Sequence, residues 1–191
     1  VVPGSIFFMP RTVSANYSLA HSLVDYDPSR LASFTGLYNT DERTDIYGGS
    51  IENRARFLLE VMAAVTAEIG AGKVGIRLSP VSPVNDSSES NPQPLFEHVV
   101  RELEKLHPVY IHVVEGHTGG PRDNAPFDYD ALHKLYSGVW MVNNGYTKDM
   151  AQDAIASGKG DLVSFGRLTI SNPDLPRRLQ ENAPLNELFA D

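Results

Sequence analysis

Hydrophobic and polar positions fall into alternating blocks along this chain, and the blocks sharpen after about residue 50. Phe57, Leu58, Val61, Met62 and Val65 recur at the spacing of one helical face. Ser50 stands ahead of them as an N-cap, and Glu52 falls in the first turn, where the helix dipole favours an acid. Gly70-Ala71-Gly72 ends that helix. Val74-Gly75-Ile76-Arg77-Leu78 then reads as a buried strand closed by Ser79-Pro80. A polar loop, Val81 to Asn91, precedes a helix expected from about Pro94 to Leu106, and Val109 to Val114 reads as a second strand. The Gly/Pro-rich loop from Glu115 to Ala125 leads to a helix near Tyr129 to Tyr136. Val139-Trp140-Met141-Val142 is a third strand, ending at Asn143-Asn144-Gly145, and Thr147 caps a helix to about Ala156. Leu162-Val163-Ser164-Phe165 is a fourth, ending at Gly166-Arg167. Asn172, with Pro173 at the first helical position, predicts a last short helix over about Asp174 to Gln180. Residues 1 to about 40 lack strong periodicity: they hold turn signals at Pro3-Gly4 and Asp27-Pro28-Ser29 and a short helix near Arg30 to Phe34.

Strand and helix thus alternate four times, which predicts an α/β fold of parallel βα units. Such units build either half of an eight-unit barrel or a doubly wound open sheet, and periodicity alone does not choose. No GxGxxG follows a first strand. With 191 residues and 41% hydrophobic content the chain can bury a real core. Its net charge of -8 argues against nonspecific nucleic-acid binding. The absence of cysteine removes disulfides, thiolate catalysis and Cys-ligated metals. The apolar run Val1 to Pro10 lacks a basic start and is broken by Pro and Gly, so a signal peptide is not expected. No stretch approaches the roughly 20 apolar residues of a membrane span, and a cytoplasmic location is expected. The first residue is Val rather than Met, so a processed, trimmed or partial chain is expected.

The ends of the third and fourth strands carry the candidate chemistry. Glycines let backbone N–H groups approach an anion closely, and an Arg adds a charged fork suited to phosphate. Asn144-Gly145 and Gly166-Arg167, with a short helix soon after, fit a phosphate cradle; they also fit plain βα turns. Arg77 sits in an apolar strand near its C-terminal end, so it meets either a ligand or a structural carboxylate. His112 reads as a core histidine and receives no role; Glu115 either lines the site or pairs with a loop residue. Arg43, Asp45, Glu52, Arg54 and Arg56 read as a salt-bridged loop-to-helix junction. No pair of histidines has metal-ligand spacing, and no metal is expected.

The segment Arg43 to Phe57, with its Tyr47-Gly48-Gly49-Ser50 turn, closely resembles the flavin-dependent ene-reductases of the Old Yellow Enzyme family. The resemblance continues in order through Val74 to Pro80, Val109 to Glu115, Asn144-Gly145-Tyr146, Ser164 to Arg167, Ile170 to Leu175 and Pro184-Leu185-Asn186, covering about residues 43 to 188. It implies the C-terminal half of an FMN-containing TIM barrel over residues 41–191, with residues 1–40 as a non-matching segment. It further implies that FMN takes hydride from NAD(P)H and passes it to an activated alkene. Arg77 would then face the flavin pyrimidine edge, while Asn144, Gly145, Gly166 and Arg167 would hold the FMN phosphate.

The family's substrate-anchoring and proton-donating motif has no match in Asp25 to Tyr38. Ser14-Ala15-Asn16-Tyr17 resembles it only faintly and too far upstream, so no catalytic residue is assigned. The expected partners are a small activated alkene and either a second copy of the chain or a missing N-terminal half, with no nucleic acid and no membrane. Two alternatives stay open: a noncatalytic half-barrel that binds a phosphate ligand, and another phosphate-binding barrel enzyme.

Overall fold

A computed structural model describes residues 44–82 and 89–187. The expectations for residues 1–40, for Arg43 and for the middle of the Val81 to Asn91 loop lie outside the described residues. Helix α1 spans Ile51–Ile69; Ser50 caps it by accepting a hydrogen bond from the Asn53 N–H, and Gly70 ends it at φ 88°. A short 3-10 turn, Ala71–Lys73, leads into β1, Gly75–Leu78. There follow α2 (Pro92–Leu106), β2 (Tyr110–Val114), α3 (Tyr129–His133), β3 (Val139–Asn143), α4 (Lys148–Ala156), β4 (Leu162–Val163), α5 (Arg167–Ser171) and α6 (Leu175–Glu181).

The strands are parallel, in the order β1-β2-β3-β4. That order settles the choice between barrel and doubly wound sheet. A doubly wound sheet reverses its order at a switch point and carries helices on both faces. Here the order never reverses, and the described helices pack on one face. Ile76, Leu78, Ile111, Val113, Trp140, Val142 and Val163 join one core with Met62, Val99, Leu103, Leu132, Ala151 and Ala154 of the helices. The opposite face carries the alternate residues in register, Gly75 beside Tyr110 and Val139, then Arg77 beside His112, Met141 and Leu162. This is a four-stranded part of a (β/α)8 barrel, with its helices outside and, among the described residues, no helix on its inner face.

Several boundaries differ from those the pattern predicts, each for a local reason. Helix α2 begins at Pro92 rather than Pro94, because a proline at the first position lacks only an N–H the helix would not use. Helix α3 stops at His133; beyond it Leu135 and Tyr136 bond three residues back, and the Tyr136 hydroxyl donates to the Pro108 carbonyl. The helix directly after β4, α5, has no counterpart in the predicted elements. Asn172, expected to open the last helix, instead ends α5. Its fully buried side chain donates to the Leu168 carbonyl and accepts from the Asn186 N–H at 2.7 Å. Asn186 in turn donates to the Ser171 carbonyl, so Pro184-Leu185-Asn186 clasps the end of α5.

Candidate cofactor site at the strand ends

In a βα barrel the ligand face lies at the C-terminal strand ends. All five predicted site residues stand at or beside that edge. Arg77 lies near the end of β1, Asn144 and Gly145 follow β3, and Gly166 and Arg167 follow β4. The last four share a rim, because β3 and β4 are neighbours.

Arg77 projects on the open face, and among the described residues no carboxylate or hydrogen-bond acceptor engages its guanidinium. Partial burial lowers its pKa, although the residue still reaches solvent. Its register partner His112 is hydrogen-bonded through Nε2 to the Ser164 hydroxyl at 3.0 Å. Burial, and then the charge of Arg77, pull the His112 pKa down to about 4. His112 is therefore a neutral imidazole near pH 7 and adds no second charge beside Arg77. Asn143 donates to the Ser164 carbonyl at 2.7 Å, which joins β3 to the end of β4. Sequence reasoning gave His112 no role. The alternation of β2 could have placed it beside Arg77, but no sequence signal pointed to Ser164.

The rim is built by a network between strand ends. Asn144 has φ 120° and is buried; its amide donates to the carbonyls of Glu115 (2.6 Å), His117 (2.9 Å) and Gly120 (3.3 Å). Its side chain is thus committed to the β2–α3 loop, and only its backbone remains for a ligand. Gly145 has φ 64°, a conformation that favours glycine, and a Cβ there would meet open space. Gly166 also faces open space. Among the described residues, no acceptor takes the N–H of Gly145, Gly166 or Arg167. Arg167 is exposed, pairs with no carboxylate among the described residues, and donates to the Gly119 carbonyl at 2.8 Å.

Glu115 does not line the open face. It is 2% exposed and points under the rim. Its Oε2 accepts from Arg122 at 2.8 Å and from the Tyr146 hydroxyl at 2.6 Å, and its Oε1 pairs with Lys159 at 2.8 Å. The Arg122 guanidinium also lies 4.2 Å over the Tyr146 ring. Burial, then the bond to Glu115, raise the Tyr146 pKa, so its hydroxyl stays protonated and donates. Arg54 and Arg56 act as the junction reading expects. Arg54 pairs with Glu89 and donates to the Gly49 carbonyl, while Arg56 donates to the Ile46 carbonyl and to Asn53.

The open backbone donors, the two uncrowded glycines and an Arg without a carboxylate partner fit a phosphate monoester such as that of FMN. A recess of about 730 Å³ on the helix side, lined by Glu97, Asp128, Asp130 and Lys159 among others, has the wrong sign for an anion. No described group of His, Asp or Glu could hold a metal ion, and no described helix is long and apolar enough to cross a membrane.

Fold and rim together define a partial flavin-type βα barrel. The chain belongs to the NADH:flavin oxidoreductase / NADH oxidase family, whose sequence profile matches residues 32–186. It is 43% identical over 149 residues to putative 12-oxophytodienoate reductase 11 of Oryza sativa subsp. japonica, covering 77% of this chain and 41% of that protein. It is 40% identical over 149 residues to 12-oxophytodienoate reductase 2 of Arabidopsis thaliana, covering 77% and 40%. Among solved structures, the Old Yellow Enzyme homologue of Zymomonas mobilis aligns with a TM-score of 0.74 at 35% identity, over 80% of this chain and 44% of that one. Morphinone reductase in complex with tetrahydroNAD aligns with a TM-score of 0.72 at 35% identity, over 80% and 42%. The chain spans less than half the length of each of these relatives. The resemblance to the Old Yellow Enzyme family holds, and FMN with a nicotinamide donor is that family's cofactor chemistry.

Proposed function

We propose that this chain supplies the FMN-phosphate-holding half of an ene-reductase, acting on a small activated alkene with NAD(P)H as hydride donor. The observation that carries the reading is the rim of Gly145, Gly166 and Arg167, whose backbone N–H groups find no acceptor among the described residues, while the Arg167 side chain is held by the Gly119 carbonyl. When bound, FMN would supply hydride-transfer chemistry between NAD(P)H and the alkene. The chain's own residues would bind and polarise. The backbone at Asn144 and Gly145, with Gly166 and Arg167, would hold the phosphate. Arg77 would place a fixed charge where negative charge builds up on the flavin edge, a preorganised electrostatic role. Neutral His112, fixed by Ser164, would keep that edge polar without competing for the anion. The remaining barrel wall would come from an N-terminal half or from a second copy of the chain. A cytoplasmic location suits the supply of NAD(P)H.

The test is NAD(P)H oxidation coupled to reduction of an enone by the FMN-loaded chain, alone and with a supplied N-terminal half. We expect flavin-dependent, stoichiometric coupling in at least one arrangement, slowed by Arg77→Ala. NAD(P)H consumption that never reaches the alkene, or no turnover in either arrangement, would remove the ene-reductase reading.

A further inference from the structure

Three strand ends are joined at the rim by a side-chain network centred on Glu115. Glu115, at the end of β2, receives the Tyr146 hydroxyl, and its backbone carbonyl receives the Asn144 amide; Tyr146 and Asn144 flank Gly145. The same carboxylate holds Arg122, whose backbone closes the loop over Gly116. Gly116 has φ 72°, and a Cβ there would overlap the Arg122 main chain. That loop folds back through His117 N–H to Pro121 O and Gly120 N–H to His117 O, and its Gly119 carbonyl grips Arg167. One buried carboxylate therefore anchors both halves of the rim: the Gly145 turn directly, and Arg167 through the loop.

We propose that Glu115 is a positioning residue for the anion cradle, fixing the Gly145 N–H and the Arg167 guanidinium on a common phosphate without touching it. The proposal rests on the FMN reading above and deepens it. A buried carboxylate balanced by Arg122 and Lys159 is costly to disturb, because loss of the acid leaves two cations facing one another. A role in general stability alone would affect every ligand of the barrel equally. A role in aiming the cradle affects only ligands that carry the phosphate.

The experiment compares FMN with riboflavin, which shares the ring but lacks the phosphate, by flavin fluorescence titration of the full chain. Wild type is measured against Glu115→Gln and against Tyr146→Phe. The second deletes only the hydroxyl and keeps the ring under Arg122, so it tests the link even if the first fails to fold. We expect wild type to prefer FMN, and both folded variants to lose FMN affinity about tenfold, the scale of one charge-assisted hydrogen bond. Their riboflavin affinity should stay unchanged. Unchanged FMN affinity in Tyr146→Phe, or an equal loss for both flavins, overturns the positioning role and leaves the FMN reading standing. Wild type that binds riboflavin as tightly as FMN, or binds neither, overturns the phosphate reading and this proposal with it.

Discussion

Asn144 shows how much one side chain does at the rim. Its amide satisfies three loop carbonyls while its backbone holds φ 120°, so Asn144→Ala removes the shared donor from buried acceptors. A loss of about 1–3 kcal/mol is expected in urea unfolding, the scale of buried groups left unsatisfied; an unchanged midpoint would mean that water replaces the amide. His112 gives a prediction in pH. Its folded pKa lies near 4, below its ordinary 6.5, so between those values the unfolded chain binds the extra proton. Stability should be full above about pH 6.5 and fall by roughly 3 kcal/mol as the pH drops to about 4. His112→Gln should flatten that part of the profile, and a variant with the same slope would assign the loss elsewhere. Arg77 stands out in the sequence because a charge inside an apolar strand demands a reason, and it lies on the face opposite the helices. For Glu115, pairing with a loop residue is one of the two readings the sequence leaves open, and Arg122 of that loop meets it; Tyr146 and Lys159 join only once β2, β3 and the turn before β4 are packed together.

Elements with local signals were the easiest to read. Ser50, Gly70 and Thr147 cap α1 and α4 as their positions in the sequence suggest. Ser50→Ala should cost about 1 kcal/mol in thermal unfolding, and no change would mean that Glu52 and the Gly48-Gly49 turn alone define the helix start. Gly75 was a harder case. It sits in β1 because the Tyr110 ring lies where a Cβ would stand, a contact between strands that spacing within one strand does not show. Helix α5 went unread for a similar reason. Its five residues carry no side-chain N-cap, and its end is fixed by Asn172 reaching forward to Asn186. The Asn-Pro pair resembles a helix start in sequence, yet the tertiary clasp claims the asparagine.

At the scale of the whole molecule, the alternation of strands and helices indicated a βα fold, and strand order with one-sided packing made it barrel-type. Among the described residues no helix packs on the inner face, where Tyr110 and His112 stand beside Val139, which is 37% exposed, and β1 and β4 lack outer neighbours. Parallel sheets are stable when both faces are covered and their edges are paired. Sedimentation of the chain should therefore give a species heavier than 21.0 kDa, and a clean monomer would show that the face is covered from within the chain. The proposed phosphate rim draws on β3, β4 and the loop after β2, all within the described residues. The most direct measurement is the visible absorption of the chain after incubation with FMN and desalting, beside Arg167→Ala. Retained flavin colour in the wild type, lost in the variant, is what the account predicts. A colourless wild type, or equal retention in both, would contradict it.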